Sequence, residues 1–433
     1  MELWDRAADI LRGNDRGGWT VPSADVYPYQ WLWDSGFIAE GLAALDLERA
    51  FKEIESVFRG QWKNGMVPHI RFEGGDTRFY PRGEWDSRRH SGIEHETSGI
   101  TQTPILADTA HRLYQMSSEK GEADSGVGFL ERVYDRLRGY HLWLWHQRKF
   151  EDTGLLVTLH PDENGMDDSP MWDGPMSRVK VSEEAGEMAE EKMRTEPDTL
   201  SGNRPSEDFY AKNYELMVEL KTAGYDTRSL DEDYQFRVLD VLFNSVWAKS
   251  NRGLAKIASV LGEEEDSRLF LSWADDTVKS MDDIMWDPES RIYHDYDTAA
   301  GRRIKVRTVG SFTALFSGLE DKKRAAEVAR SLEDPANGFA TEYMIPSTST
   351  MEESYDEGRF WRGPIWPFTN YIICEGLREN GLEREYAGLR DQTLELAGRS
   401  GFRECFTIGG AGTGVGCFSA TAAIVLSLLS QGG

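Results

Sequence analysis

Two acidic strings, far apart in the sequence, contain the residues best suited to chemistry. The string NGMDDSPMWD (164–173) places Asp167 and Asp168 between a glycine and a tryptophan, and Glu404 lies in GFRECF near the C-terminus. A pair of carboxyl groups can break a glycosidic bond, one by protonating the leaving oxygen and the other by activating water. The residue types alone leave open whether Asp167 or Asp168 is the proton donor.

Aromatic residues accompany another carboxylate near the N-terminus. The string YPYQWLWDSG (27–36) contains Tyr27, Trp31 and Trp33 before Asp34. We expect Trp31 and Trp33 to alternate along an extended segment, with Asp34 just before a helix. The alternative is that Asp34 caps this helix and the tryptophans are core residues. Aromatic faces beside a carboxylate that accepts hydroxyl hydrogens favour a pyranose-binding site.

A second aromatic string, DEGRFWRGPIWPFTNY (356–371), places Trp361, Arg362 and Trp366 around a Gly-Pro pair. Because proline is excluded from a helix interior, the string is predicted to line a loop or the mouth of a helix. Core packing explains one of these tryptophans easily, but it explains the whole string poorly.

Two further polar residues are weaker candidates. His69 follows a Gly/Pro turn in NGMVPHIRF, and Gln102 lies at the predicted mouth of a helix in SGITQTPILADTA. A single histidine or glutamine more often has a structural partner than a ligand.

Several other chemistries are disfavoured by the motifs. The order H-x-x-x-E-H-E at 90–96 differs from the zinc pattern H-E-x-x-H, so we expect no metal. The run GGAGTGVG (409–416) matches no nucleotide-binding motif and is predicted to be a flexible turn that lets the backbone approach a neighbour or ligand. There is no G-x-S-x-G nucleophile motif. We expect no cofactor.

The composition limits the partners of the chain. The net charge of −26 argues against nucleic-acid binding and against an anionic membrane surface. A small anionic substrate would therefore need a local arginine. Three cysteines without zinc spacing, and the absence of a leader or a run of ~18 apolar residues, predict a cytoplasmic protein that is neither exported nor membrane-inserted.

Helical periodicity dominates the chain. Apolar positions repeat at helical spacing near 2–12, 35–46, 48–59, 99–116, 127–147, 207–222, 239–246, 270–281, 310–318, 321–332, 361–379, 384–398 and 418–429. Roughly a dozen helices, with long connections carrying aromatics and carboxylates, predict an all-α fold of the (α/α)6 toroid type, with the site at one end. A helical solenoid is the alternative, but no fixed-period repeat is visible.

The domain organisation follows from the same pattern. No segment resembles an interdomain linker, so residues 1–433 are predicted to form a single domain. Residues 160–205 interrupt the helices with the charged run SEEAGEMAEEKMRTEPD. This segment is either a solvated surface insertion or a lid over the site, and we favour the lid. The best strand candidate, RIYHDYD (291–297), is short and follows a helix.

Together these strings resemble glycoside hydrolase family 63, particularly its short bacterial members that hydrolyse mannosylglycerate or glucosylglycerate. The resemblance runs from about Tyr27 to Thr421 and rests on WLWDSGF, NGMVPH, TQTP, GMDDSPMWD, GRFWRGPIWP and GFRECF, in this order. It implies an (α/α)6 catalytic domain and inversion of anomeric configuration without a metal.

The resemblance also implies roles for individual residues. The register of G-x-D makes Asp167 the general acid, and the glutamate near the C-terminus, Glu404, becomes the general base. The chain departs from the family in having Cys405 where an aromatic residue is frequent and Asp168 where asparagine is frequent. An ionised Asp168 would help to keep a proton on Asp167. Contacts to the sugar are implied for Tyr27, Trp31, Trp33, Asp34, His69, Trp361 and Trp366.

For the glycerate carboxylate the resemblance implies Gln102, Arg204 and Tyr210, and Tyr80 in RFYPRG is a further possible donor. Arg204 would supply the local cation that a chain of net charge −26 needs in order to hold an anion. Asp167 must then be protonated near neutral pH, through burial among Met166, Met171 and Trp172. An inverting enzyme places its two carboxyl groups about 6.5–9.5 Å apart.

Other functions remain open at this stage. A trehalase-like hydrolase or a sugar epimerase could use the same fold, although the eight histidines do not form the acid–base pair that an epimerase needs. A carbohydrate-binding protein derived from a hydrolase is the non-catalytic alternative. The sequence decides neither between mannose and glucose nor the oligomeric state, and a homo-oligomer is possible.

Overall fold

The computed structural model describes residues 2–73, 84–195, 204–230 and 234–431. Within these ranges the chain is mainly helical. The α-helices are α1 (Leu3–Asn14), α2 (Leu32–Ala43), α3 (Leu47–Val57), α4 (Arg88–Ser91), α5 (Leu106–Glu119), α6 (Ala123–Arg148), α7 (Asp173–Met176), α8 (Glu183–Thr195), α9 (Glu207–Thr222), α10 (Val241–Val260), α11 (Glu264–Ile284), α12 (Lys322–Glu333), α13 (Pro367–Glu379), α14 (Glu383–Ser400) and α15 (Ser419–Ser430). A 3₁₀ helix, Val309–Ser317, lies between α11 and α12.

Six helical segments form a closed inner ring. Each contacts the next in the order α2, α5, α10, the 3₁₀ helix, α13 and α15, and α15 contacts α2. Every residue of α2 is buried, as expected for a helix surrounded by other helices. Gly41 of α2 allows this closure, because a Cβ there would lie 2.4 Å from the Cα of Ala423 in α15.

Six amphipathic helices form the outer ring. The helices α3, α6, α11, α12, α14 and α1 pack in turn against α2, α5, α10, the 3₁₀ helix, α13 and α15. In α3 the buried apolar residues Leu47, Phe51 and Ile54 recur at three- and four-residue steps, and Asp46 caps the helix by accepting from the Arg49 amide. Two concentric rings of six helices confirm the predicted (α/α)6 toroid.

The strands are short and all pairs are antiparallel. Three pairs are β1 (Gln30–Trp31) with β2 (Ile70–Arg71), β5 (Trp286–Asp287) with β6 (Ile292–Tyr293), and β9 (Arg403–Phe406) with β10 (Gly412–Gly416). A four-stranded sheet has the order β3 (Val157–Thr158), β4 (Val238–Leu239), β7 (Tyr296–Asp297) and β8 (Arg302–Arg303). The strand candidate 291–297 therefore becomes β6 and β7, and β7 pairs with the distant β4.

Several predicted boundaries were wrong where loops precede inner helices. The pattern at 99–116 becomes α5 only from Leu106, and the pattern at 361–379 becomes α13 only from Pro367. Trp31 and Trp33 do not share an extended segment, because β1 ends at Trp31 and α2 begins at Leu32.

The segment predicted to be a lid has two distinct parts. Asn164, Met171 and Trp172 are fully buried, so residues near them belong to the interior. Helix α8, which follows, packs against α9. That α8 moves as a lid stays a prediction. Among the helices that the structure describes, none is both long enough and apolar enough to cross a membrane.

Candidate active site

A cavity of about 590 Å³ opens at the N-terminal end of the inner ring. Its walls include residues that begin or immediately precede inner helices, such as Asp34, Gln102, Trp366 and Phe418. We call it the aromatic cavity. It gathers most of the predicted site residues, namely Tyr27, Trp31, Trp33, Asp34, His69, Gln102, Asp167, Arg204, Trp361, Trp366 and Glu404.

A second cavity of about 590 Å³, the adjoining cavity, shares part of its wall with the first. Asp162, Asp167, Arg204 and Phe360 line both cavities, and Tyr210 lines only the adjoining one. Tyr80, the remaining predicted residue, lies outside the described residues.

The turn that carries Asp167 is held on both sides. Asn164 Oδ1 accepts a hydrogen bond from the Met166 amide at 2.6 Å, and Trp172 Nε1 donates to the Met166 carbonyl at 2.9 Å. Gly165 has a φ of +83°, and a Cβ there would lie 2.4 Å from Cζ2 of Trp33. Glycine is therefore required at this position both for backbone conformation and for space.

Burial and neighbouring charges favour the neutral form of Asp167. Burial raises the pKa of Asp167 well above its ordinary value, Asp162 and Glu404 raise it further by repulsion, and the cation of Arg204 opposes them. Asp168 also raises this pKa, but it is the smallest of the named contributions. The carboxyl group is thus suited to carry a proton at neutral pH.

The structure distinguishes the two adjacent aspartates that the sequence left open. Asp168 is completely buried and receives two hydrogen bonds from Arg359, at 2.6 and 2.9 Å. Arg362 lies 3.4 Å from Asp168 and bridges to Asp173. Two cations therefore hold Asp168 away from the cavities, whereas Asp167 lines both.

Glu404 lies on β9 and is oriented by two donors. The Tyr27 hydroxyl donates to Oε1 at 2.6 Å, and the Val415 amide of β10 donates to Oε2 at 3.0 Å. Arg204 in turn donates to the Tyr27 hydroxyl. A chain of hydrogen bonds therefore links the Arg204 guanidinium to the Glu404 carboxylate.

The glycine run next to Glu404 was predicted to be a flexible turn, and this was wrong for residues 412–416, which form β10. The predicted close approach to a neighbour is confirmed. Gly414 has a φ of +66°, and a Cβ there would lie 2.6 Å from Oε2 of Glu404.

Asp34 and His69 line the aromatic cavity as neutral groups. Asp34 is the third residue of α2 and not its N-cap, and burial, assisted by Glu404, raises its pKa to about 8. Burial lowers the pKa of His69 to about 3, and within the described part of the chain its Nδ1 has no hydrogen-bond partner. Such groups can exchange hydrogen bonds with hydroxyls without a charge.

Gln102 is fixed by the first turn of α2. Its Oε1 accepts a hydrogen bond from the Trp33 amide at 3.1 Å, one of the amides that a helix N-terminus leaves unpaired. The Nε2 donors are the part of this side chain left for a ligand. Gln102 lines the aromatic cavity, whereas Tyr210, predicted to share its role, lines the adjoining one.

Stacked aromatic side chains form much of the aromatic cavity. The rings of Trp361 and Trp366 lie 4.0 Å apart and nearly parallel, and Trp33 stacks on Phe368 at 4.5 Å. Trp361 belongs to the loop before α13, and Trp366 is the N-cap residue of that helix, as its Gly-Pro string predicted. These rings present flat apolar faces of the kind that stack on sugar rings.

The wall of the adjoining cavity contains two cations, Arg204 and Lys192, and several aromatic rings. The Arg204 guanidinium lies 4.9 Å from the ring centre of Phe360, and Lys192 Nζ lies 5.9 Å from that of Tyr210. Asp162, at the junction of the cavities, accepts from Asn213 at 2.8 Å. Such a cavity suits a small anion held by cations and hydrogen-bond donors.

Sequence reasoning missed three of these residues. Asp162 stands beside the GMDD string and Phe360 within the aromatic string, so spacing from known candidates could have found them. Lys192 gave no signal, because it lies in a charged run that is typical of a solvated surface. Within the described residues, no group of three or more His, Cys, Asp or Glu is placed to hold a metal ion.

The chain matches the family model of the mannosylglycerate hydrolase MGH1-like glycoside hydrolase domain over residues 27–418. The chain belongs to this glycoside hydrolase family. The protein is a glycosidase, and a solved mannosylglycerate hydrolase of family 63, described below, confirms the resemblance to that family.

Two named relatives resemble the chain over almost its whole length. The mannosylglycerate hydrolase of Thermus thermophilus is 35% identical, covering 97% of this chain and 99% of the relative. The glucosylglycerate hydrolase of Mycolicibacterium hassiacum is 30% identical, covering 94% and 92%.

Solved structures agree with this assignment to the MGH1-like family. A crystal structure of the mannosylglycerate hydrolase from Thermus thermophilus, in complex with Tris and D-glycerate, is 33% identical with a TM-score of 0.87, covering 98% of this chain and 99% of that one. Neutral trehalase from Saccharomyces cerevisiae, 17% identical with a TM-score of 0.58, covers 95% and 73% and shows the toroid fold alone.

Proposed function

We propose that the protein hydrolyses a 2-O-α-hexosylglycerate, mannosylglycerate or glucosylglycerate, to the free hexose and glycerate with inversion at the anomeric carbon. The observation that carries the proposal is the shared wall of the two cavities. Asp167 lies where the aromatic cavity, suited to a pyranose, meets the adjoining cavity, where Arg204 provides a cation for a carboxylate. Relatives named for both substrates support the same substrate class.

The mechanism follows from the environments of the two carboxyl groups. Asp167, held neutral by burial and repulsion, donates its proton to the glycosidic oxygen as the bond to the anomeric carbon breaks. Glu404, oriented by Tyr27 and the Val415 amide, removes a proton from the attacking water. The water oxygen bonds to the anomeric carbon, and each carboxyl group ends in the other's starting charge state.

The remaining site residues would bind the two halves of the substrate. The hexose lies in the aromatic cavity against Trp33, Trp361 and Trp366, with Tyr27, Trp31, Asp34 and His69 around its hydroxyls. The glycerate carboxylate pairs with Arg204, with Tyr210 as a further donor and Gln102 reaching from the aromatic cavity. A charge-assisted pair of this kind is worth about 1.5–3 kcal/mol.

Parallel incubations test the substrate assignment. The pure protein is mixed with mannosylglycerate, with glucosylglycerate and with trehalose, and the first-formed anomer is followed by NMR. We expect a β-hexose from at least one glycosylglycerate and no cleavage of trehalose. An α-anomer as first product would contradict inversion, and cleavage of trehalose alone would contradict the substrate class.

Replacing Asp167 tests the role of the acid. The Asp167→Asn variant should lose at least about 10³-fold in kcat, because it has no proton to donate, while its dissociation constant for substrate stays within about threefold. Titration calorimetry measures the second quantity. A variant that turns over at the wild-type rate would remove Asp167 from the mechanism.

A further inference from the structure

We propose that Asn164 positions the general acid, and that a buried pair of carboxyl groups, Asp240 and Asp295, holds Asn164 in place. This inference rests on the proposed function, in which Asp167 is the acid. Neither Asp240 nor Asp295 is among the residues that line the two cavities. They would therefore act through Asn164 and not by touching the substrate.

Asn164 joins the acid-bearing turn to the body of the toroid. It is completely buried, and its Oδ1 accepts from the Met166 amide at 2.6 Å. Its Nδ2 donates to Asp240 Oδ2 at 2.9 Å, and its carbonyl accepts from the Thr103 hydroxyl at 3.0 Å. The donor and acceptor of one amide thus connect Asp240 to the residue that precedes Asp167.

The two carboxyl groups are fixed by backbone amides. Asp240 is the N-cap of α10 and accepts from the Phe243 amide, and Asp295 accepts from the Val241 amide at 2.8 Å. Asp240 follows β4 and Asp295 precedes β7, and these strands pair with each other. The sheet therefore brings together two acids that are distant in the sequence.

We infer that the pair holds one proton. Asp295 accepts from the amide of Val241, the residue that follows Asp240, so the two carboxyl groups are neighbours. Two buried neighbouring carboxyl groups avoid mutual repulsion when one of them is protonated and donates to the other. Burial raises the pKa of both groups, and repulsion from Asp240 raises that of Asp295 further. When Asp295 carries the proton and donates it to Asp240, Asp240 remains an acceptor for Asn164.

This arrangement fixes the orientation of the Asn164 side-chain amide as well as its position. An amide that donates at one end and accepts at the other cannot turn over without facing donor against donor and acceptor against acceptor. A displacement of a catalytic group by about 1 Å can cost about 100-fold in rate. The network is therefore expected to affect kcat more than KM.

An exchange of partners tests the proposal. Asn164→Asp places a carboxylate acceptor against the carboxylate of Asp240. Asp240→Asn removes the charge of the acceptor, and its new NH₂ group competes with the oxygen that caps α10. Each single variant should lower kcat by about 10–100-fold with KM within about twofold. In the double variant the new carboxylate at position 164 can accept from both the Met166 amide and the new side-chain amide at position 240, so kcat should recover at least about tenfold.

Two further variants separate positioning from general stability. Asp295→Asn should keep most of the activity, because an amide can donate to Asp240 as a protonated carboxyl does. Asn251→Ala removes another fully buried amide, which bonds to His141 and to the Trp247 carbonyl in α10. It should lower the unfolding temperature while leaving kcat unchanged.

The outcomes decide the proposal. Recovery in the double variant supports it, including the case in which only the double variant folds well. A double variant no more active than the weaker single variant, through slow chemistry or through failure to fold, overturns it, as does an Asn164→Asp enzyme with wild-type kcat. A failure of the proposed function is distinct, since it appears as wild-type protein that cleaves neither glycosylglycerate. The unfolding temperatures then still measure the coupling between positions 164 and 240.

Discussion

Asp167 and Asp168 are identical in residue type and lie in the same turn, but their neighbours differ. Asp168 lies between Arg359 and Arg362, which supply the positive charge that a buried carboxylate requires. Asp167 lies near Asp162 and Glu404, and Arg204 opposes their repulsion. Asp167 is therefore neutralised by a proton and not by a pair of arginines. Its suitability as an acid is produced by surrounding residues that come from distant parts of the chain.

The raised pKa of Asp167 has a consequence for stability. Between its unfolded value, about 4, and its higher folded value, the folded state binds more protons than the unfolded state, so stability falls as pH rises. Asp167→Asn should therefore stabilise the protein at pH 7 and change its stability little at about pH 3.5, where Asp167 is protonated in both states. Denaturant unfolding at the two pH values measures this.

The neighbouring residue is the matched control. Burial raises the pKa of Asp168 too, although Arg362 and Arg359 oppose this. Asp168→Asn leaves both arginines without their carboxylate partner and should therefore destabilise the protein at neutral pH. Equal effects of the two substitutions would contradict the division between Asp167 and Asp168.

Lys192 is expected to contribute to substrate selection. It lines the adjoining cavity beside Arg204 and Tyr210, so it adds a second cation near the proposed carboxylate. Lys192→Met should raise KM for a hexosylglycerate about tenfold with little change in kcat, and should leave cleavage of a neutral-aglycone hexoside unchanged. Lys221→Met, in α9 outside the cavity wall, should change neither. Equal losses on both substrates would mean that Lys192 does not recognise the charge.

At the scale of elements, the sequence predicted helices better than their starting points. The pattern 207–222 coincides with α9, whereas α5 and α13 begin later than predicted. Before α13 the apolar residues include Trp361 and Trp366, which line the aromatic cavity. Before α5 they are Ile100 and Ile105, which are buried but line neither cavity. In both loops the apolar spacing imitates a buried helix face.

The hairpin of β9 and β10 is an element whose glycine has a specific task. Gly414→Ala would place a Cβ 2.6 Å from Oε2 of Glu404 at a φ of +66°, so it should displace the carboxylate and lower kcat by about 10–100-fold. Gly409→Ala lies in the same glycine run with its nearest neighbour at 4.0 Å and should be silent. Steady-state kinetics of both variants measure the difference.

At the scale of the whole molecule, the toroid fold followed from counting helices, but the site did not follow from counting motifs. The strings predicted most of the residues that line the aromatic cavity, since their aromatic and acidic composition is unusual for a core. They could not show that Asp162 lies between the two cavities or that Lys192 lies over the Tyr210 ring, because both placements depend on tertiary packing, which for Lys192 is the contact of α8 with α9. The roles of all these residues stay predictions until the variants are measured.

Ring closure itself can be tested at the contact between α2 and α15. Gly41→Ala would force a methyl group within 2.4 Å of the Ala423 backbone, and overpacking of this kind costs about 1–3 kcal/mol. Gly13→Ala in α1 has open space around it and should be neutral or stabilise by up to about 1 kcal/mol. Urea unfolding of both variants provides the comparison. A neutral Gly41→Ala would mean that the ring is not closely packed there.

The shared wall between the two cavities also bears on what happens after bond cleavage. In the proposed function, the hexose and the glycerate would occupy separate spaces after bond cleavage, and among the described residues these spaces share Asp162, Asp167, Arg204 and Phe360. We therefore expect both products to be bound at once. Inhibition by mixtures of hexose and glycerate should accordingly give intersecting lines in a multiple-inhibition plot, whereas parallel lines would show that the products exclude each other. An enzyme of this design can keep one product bound while the other leaves.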